Sequence, residues 1–176
     1  MTCIFLTALI CGLLYGQDTM EIQEGISFWY VCMEFEGAHS QISEKAPMLL
    51  EEIYKQELQS KVSGHLFGVF FDSPLLGEGK RSVYALGFII DKEIPIKVPL
   101  VKYQYAYEKI ATVTHHGPYE TAANSFNKLL ASIEEQGLEI AGPPLQIWMG
   151  DPRQDKPEEL KTKIIIPVKS DIRSSK

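Results

Sequence analysis

Cysteine is scarce in this sequence. There are three in 176 residues, and Cys3 and Cys11 both lie in the first 17. Cys32 is left alone beyond that segment, so neither an internal disulfide nor a cysteine metal site is available. Positive charge is also in short supply. The 17 Lys and Arg stand against 23 Asp and Glu, a net charge of −6 with His neutral. No basic face is clustered as a nucleic-acid binder requires, so the composition argues against that class. No apolar run has the length of a set of transmembrane helices. The H-E-x-x-H, paired C-x-x-C and G-x-S-x-G motifs are all missing. The four histidines have no ligand spacing: His115 and His116 are neighbours on a strand, so they point to opposite faces. The sequence therefore predicts no metal and no cofactor.

Charge is missing altogether before Asp18. Residues 1–17 hold the apolar run Ile4, Phe5, Leu6, Ala8, Leu9, Ile10, Leu13 and Leu14, closed by Tyr15-Gly16-Gln17. A short apolar core followed by small residues reads as a signal peptide. The predicted location is secreted or periplasmic. The alternative is an uncleaved N-terminal anchor, with membrane association through residues 1–17. No Lys or Arg precedes the run, so the usual positive start of a leader is lacking.

What is present beyond the leader is an alternation of strand and helix signals, given twice. Residues 28–36 read as a strand with Trp29, Val31, Met33 and Phe35 on one face and Tyr30, Cys32, Glu34 and Glu36 on the other. A helix follows to about Gln59, with Ile42, Leu49, Leu50, Ile53, Tyr54 and Leu58 as its apolar stripe and Pro47 inside it. Strands at 66–71 and 83–90 complete the unit. The second unit runs through a strand at 109–116, a helix at 120–136 stopped by Gly137, and strands at 145–149 and 160–168. Residues 91–107 read as a crossover, with an extended piece near 98–105. Shifted by about 80, the first half lies over the second: Leu49, Leu50 and Ile53 fall on Leu129, Leu130 and Ile133. With a shift of 79, Val69 falls on Trp148 and Asp72 on Asp151. The fold class expected is α+β, with two pseudo-symmetric β-α-β-β repeats and a central cleft between them.

Residues 107–120, Tyr-Glu-Lys-Ile-Ala-Thr-Val-Thr-His-His-Gly-Pro-Tyr-Glu, carry a resemblance. So do residues 137–152 and the Glu158-Glu159-Leu160-Lys161-Thr162 and Ile166-Pro167-Val168 stretches. They resemble the GyrI-like domains, also called bacterial transcription-activator effector-binding domains. The first half is similar more loosely, through Gly37, its helix and Phe70-Phe71-Asp72-Ser73-Pro74. The resemblance implies a domain over residues 28–169 and a tail over 170–176. It implies a small amphipathic or aromatic ligand in an aromatic-lined cleft, and an architecture shared with the SOUL haem-binding proteins. No helix-turn-helix module precedes the domain in this sequence, so a stand-alone member is expected.

Carried over by motif, Tyr119 of Gly-Pro-Tyr-Glu faces the cleft and Trp148 takes a position that is usually aromatic. Gln146 stands where many members carry a glutamate that neutralises a cationic ligand; its uncharged amide suits a neutral polar one. From the residues themselves, Tyr30, Phe67 and Tyr84 join Tyr119, Gln146 and Trp148 as candidates to line the cleft. A subset of the family hydrolyses strained rings. Should this chain do so, Glu34, Glu36 and Glu120 are the candidate general bases and Tyr119 an orienting group. A membrane-held interaction module is the third reading. Cys32 reads as a small buried residue, and His115 as a strand-end residue with a local hydrogen bond.

Overall fold

A computed structural model describes residues 20–72 and 82–170. Residues 1–17, read above as a leader, and most of the segment read as a C-terminal tail lie outside these residues. The order of elements is β1 (Glu21–Gly37), α1 (Ile42–Lys55), β2 (Val62–Phe70), β3 (Ser82–Ile90), β4 (Val101–His116), α2 (Ala122–Glu135), β5 (Leu138–Ile140), β6 (Leu145–Met149) and β7 (Lys161–Ser170). All pairings are antiparallel. The strand order is β4-β1-β3-β2-β6-β7-β5, and β4 also pairs with β7. The sheet therefore closes on itself into a ring of six strands, and β5 extends β7 at one end. Closure removes the free edges that an open sheet would expose.

The two halves meet along β2 and β6, where Gly68 pairs with Gln146. They meet again along β1 and β4. β1 and β4 are longer than the sequence pattern implied. β1 opens at Glu21 rather than Phe28, and the extended piece of the expected crossover is the first half of β4. β4 pairs with β1 from Val101 to Thr112 and with β7 from Ile110 to His116, and the overlap is how the ring closes. Gly25 is required on this path: a Cβ there would stand 1.6 Å from the Tyr107 carbonyl oxygen.

Period-two alternation divides the strands into an inner and an outer face. The inner face fills the ring with Tyr30, Cys32, Phe67, Val69, Ala85, Tyr105, Ile110, Leu145 and Ile165. The outer face carries both helices. Leu49 and Ile53 of α1, with Leu58, pack on Val31, Tyr84, Leu86 and Ile90. Phe126, Leu129 and Ile133 of α2 pack on Ala111, Val113, Ile164, Ile166 and Val168. The stripe of α1 is narrower than the sequence implied, because Leu50 and Tyr54 are exposed. Pro47 lies within the helix on an exposed side, as the sequence placed it. Gly137 follows α2 at φ 63°, and its N–H donates to the Glu134 carbonyl at 2.9 Å. A positive φ there is what glycine permits at a helix end.

The ladders give the repeat its true alignment. The helices are related by 80, Ile42–Lys55 to Ala122–Glu135. The strands behind them are related by 78, not 79: Phe70 pairs with Tyr84, and Trp148 with Thr162. The second half is thus two residues shorter between helix and strand. Phe70, not Val69, is the counterpart of Trp148. A slip of one residue exchanges the faces of a strand, and the offset of 79 would have placed Trp148 inside the ring.

Candidate functional site

α1 packs mainly over β1 and β3, and α2 mainly over β4, β5 and β7. β2 and β6, the strands on the pseudo-twofold axis, run between the two helices. The outward side chains of these strands share the face of the sheet that lies between the helices. From β2 come Gly68 and Phe70, and from β6 come Gln146 and Trp148. Tyr84 and Thr162 flank them on β3 and β7. The offsets make these equivalent pairs: Gly68 with Gln146, Phe70 with Trp148, and Tyr84 with Thr162. His39 and Tyr119 are a fourth pair, each opening the 3-10 turn that leads into its helix.

Aromatic rings cover much of this face. Tyr84 and Phe70 lie 6.1 Å apart by ring centroid, and the His39 ring stands 4.6 Å from Phe70 and 6.2 Å from Tyr84. Withdrawal from water against these rings lowers the affinity of His39 for its proton, so it favours the neutral form. Trp148 and Phe70 both lean over Gly68. A Cβ at Gly68 would stand 2.8 Å from Trp148 Cη2 and 3.1 Å from Phe70 Cζ. The missing side chain of Gly68 is therefore the space the two rings occupy.

Three polar side chains of this face are unengaged among the described residues. Gln146 is half-buried, and among the described residues its amide makes no hydrogen bond. Tyr84 and Thr162 are both 0% exposed. Among the described residues, their hydroxyl oxygens are the buried side-chain polar atoms without a partner. Buried polar groups are nearly always hydrogen-bonded. Here two exceptions fall at equivalent positions of the two repeats.

The Gly-Pro-Tyr turn is held firmly from below. His115 is 7% exposed at the end of β4. Its Nδ1 lies 2.9 Å from Ser125 Oγ of α2. Its Nε2 lies 2.8 Å from Thr121 Oγ1 and 3.2 Å from the Pro118 carbonyl oxygen. The Thr121 hydroxyl donates to that same carbonyl at 2.7 Å, so Nε2 is the donor toward Thr121. The imidazole thus ties strand, turn and helix together, as the local hydrogen bond expected for it requires. The turn presents Tyr119, whose hydroxyl is within donating distance of the Met149 and Gly150 carbonyls at 3.1 and 3.0 Å. Burial, then the nearby Asp155 and Asp151, raise the pKa of Tyr119. Asp151 accepts from Arg153 Nε and Nη2 at 3.0 and 2.9 Å and from the Arg153 N–H at 3.0 Å. Asp72 likewise ends its strand, accepting from the Val83 N–H at 2.7 Å.

The six candidate ligand residues fall into two groups. Gln146, Trp148 and Tyr84 share the outer face of the sheet, and Tyr119 stands at the end of β6 through its hydrogen bonds. Tyr30 and Phe67 lie on the other face, 3% and 2% exposed in the ring interior. There they pack on Phe28 and on each other, with Tyr30 and Phe67 centroids 5.5 Å apart. The candidate bases do not converge. Glu34 is exposed on the inner side of β1, where its carboxylate accepts from the Tyr103 hydroxyl at 2.7 Å. Glu36 is exposed one alternation further along, and Glu120 is exposed on the turn before α2. Among the described residues no carboxylate is buried, and no cluster of three or more His, Cys, Asp or Glu has the form of a metal site. Cys32 is fully buried, and burial followed by the Glu34 charge pushes its thiol up to about 12.

Phe70, Thr162 and His39 were not among the sequence candidates. Phe70 and Thr162 are recoverable once the offset is 78, since each is then the counterpart of a candidate, Trp148 or Tyr84.

Solved structures share this architecture. The C-terminal domain of EcmrR is 16% identical, with a TM-score of 0.72 over 88% of this chain and 99% of that one. A hydrolase from Listeria innocua encoded by lin2189 is 13% identical, with a TM-score of 0.66 over 87% and 93%. SAV2435, solved bound to tetraphenylphosphonium, is 16% identical, with a TM-score of 0.57 over 86% and 94%. No curated protein matches the chain. The model of the GyrI-like small molecule binding domain matches residues 20–169, which takes in every strand and helix described above but for the last residue of β7, and the chain belongs to that family.

Proposed function

We propose that this chain binds a small amphipathic molecule of aromatic character in the groove between α1 and α2, over Gln146. One observation carries the reading. The centre of the sheet lies between the two helices, and there a half-buried Gln146 amide without a hydrogen-bond partner sits beside the rings of Trp148 and Phe70. Apolar rings with a few convergent polar atoms are the usual make-up of a ligand site. The ring interior is the poorer candidate, since Tyr30, Phe67 and Tyr105 already fill it with one another. Tyr119 closes one end of the groove, and His115 holds it there.

Trp148 reports on the test. With Trp29 replaced by Phe, Trp148 is the remaining tryptophan in the chain. Its fluorescence is followed across a panel of amphipathic aromatic compounds. A saturable change that disappears in Gly68→Val, whose side chain takes the space of the rings, is the expected result. No saturable change with any compound overturns the reading.

Residues 1–17 are proposed to direct the chain out of the cytoplasm or to anchor it at a membrane. The motive is their uncharged apolar run. Among the described residues no helix is long and apolar enough to cross a membrane. N-terminal sequencing of the mature protein decides between the two. A start near residue 18 means cleavage, and Met1 in a membrane fraction means an anchor. Met1 in the cytosolic fraction overturns both.

A further inference from the structure

The groove offers its ligand hydrogen-bonding atoms of a single kind. Gln146 presents an amide that both donates and accepts. Thr162, paired across the ladder with Trp148, carries a fully buried hydroxyl with no partner, and Tyr84 carries the equivalent buried hydroxyl in the first repeat. All three are neutral. Among the described residues the buried polar side chains are Ser82, Thr112, His115, Ser125 and Thr162; no carboxylate, Lys or Arg is among them. The acidic groups that Tyr119 senses, Asp151 and Asp155, are already engaged, Asp151 by Arg153 and Asp155 by the Asp151 N–H.

A cation entering such a groove would shed its hydration and find no buried carboxylate to replace it, a large penalty for an unpaired charge. An anion would meet no buried cation. An uncharged acceptor loses far less on leaving water, and it satisfies donors that are otherwise left without partners. We infer that the ligand of this chain is an uncharged molecule. Its aromatic body lies against Trp148 and Phe70, and its strong hydrogen-bond acceptor, of the amide, ketone or phosphine-oxide kind, is received by the Gln146 amide and the Thr162 hydroxyl. The inference rests on the groove reading above and adds the charge class of the ligand to it.

Two probes with the same three phenyl rings separate the possibilities: triphenylphosphine oxide, a neutral acceptor, and methyltriphenylphosphonium, a cation without one. Titrations of the full chain carrying Trp29→Phe follow Trp148. The oxide is expected to bind about tenfold tighter or more, a gap of about 1.4 kcal/mol. Gln146→Glu is expected to reverse the order. Gln146→Leu and Thr162→Val are each expected to weaken the oxide about three- to tenfold and to leave the phosphonium unchanged. The last two variants keep the test independent of whether a glutamate is tolerated at 146. Phosphonium binding as tight as the oxide, and abolished by Gly68→Val, overturns the charge class and leaves the groove standing. Binding of neither probe overturns the inference, and the groove reading falls with it when the wider panel also leaves Trp148 unmoved.

Discussion

Removing the two orphan hydroxyls is expected to stabilise the ligand-free protein. Tyr84 and Thr162 are fully buried, and their oxygens find no partner among the described residues. A buried polar group left unsatisfied costs about 1–3 kcal/mol in desolvation. Tyr84→Phe deletes that group and keeps the ring against Phe70, Phe35 and His39. Thr162→Val exchanges the hydroxyl for a methyl in the same space. With about 1–2 kcal/mol recovered at each site, and about 2–4 °C of melting temperature per kcal/mol in a chain of this size, each variant gains about 2–8 °C. The two residues sit on β3 and β7, with β2 and β6 between them. That is three strand spacings, about 14 Å, so the gains should add in the double variant. The assay is thermal unfolding without ligand, followed by titration with triphenylphosphine oxide. Higher melting temperature with weaker binding in Thr162→Val is the expected pair of results. A fall in melting temperature for either variant would refute the reasoning, because it would mean that the hydroxyl has a partner in solution.

Other perturbations test the frame around the groove. His115→Ala removes the contacts with Ser125, Thr121 and Pro118 at a buried position and should destabilise by about 2–4 kcal/mol; unchanged unfolding in urea would show that the turn holds itself. Both Cys32 and Tyr103 are pushed up to about 12, Cys32 first by burial and Tyr103 first by its hydrogen bond to Glu34. For acids held protonated in the fold, the stability they contribute is complete below their ordinary pKa values and is lost as pH rises toward 12. Alkaline unfolding is therefore expected between pH about 9 and 12, with Cys32 inert to a thiol reagent at pH 8 until the chain unfolds; rapid native labelling would contradict this. At the acid end, the hydrogen bonds from Arg153 hold Asp151 down to about 2. Its contribution to loop order is present above pH about 4 and is lost as pH falls through about 2. Arg153→Ala should move that loss toward pH 4, read from the amide signals of residues 151–155.

Much of this fold is legible in the sequence because each element obeys a local rule. The alternation through Trp29, Val31, Met33 and Phe35 marks β1, and Leu129 with Ile133 marks the buried side of α2. The Gly-Pro-Tyr turn carries its own signature, and Gly137 stops the helix where the sequence places it. What local rules do not carry is the relation between strands. Alternation says that Tyr30 and Glu34 share a face, but only the ladder says that Tyr30 stands opposite Ile89 while Tyr84 stands opposite Phe35. That register sends Tyr30 inside the ring and Tyr84 outside it. The repeat offset is likewise not carried by local rules. β2 shifts its register on β3 between Ser63 and Phe67, and the counterpart of β2 in the second half is split into β5 and β6. Both irregularities keep the offset of 78, since Val62 pairs with Ile90 and Ile140 with Val168; the misalignment comes from the shorter link between helix and strand in the second half, where the offset falls from 80 to 78. Leu50 and Tyr54 look apolar enough for the α1 stripe, yet the helix residues that become buried are Leu49 and Ile53, with Ile42 and Ala46 packed at their side.

The face on which the ligand sits is the point on which the rest depends. The most direct measurement is an NMR titration with triphenylphosphine oxide that follows the Gln146 side-chain amide and the Trp148 indole N–H alongside the rings of Tyr30, Phe67 and Tyr105. Binding between the helices predicts that Gln146 and Trp148 shift together and saturate at one concentration while the interior rings stay still. Saturable shifts confined to Tyr30, Phe67 and Tyr105, with Gln146 unmoved, would place the ligand inside the strand ring and contradict it.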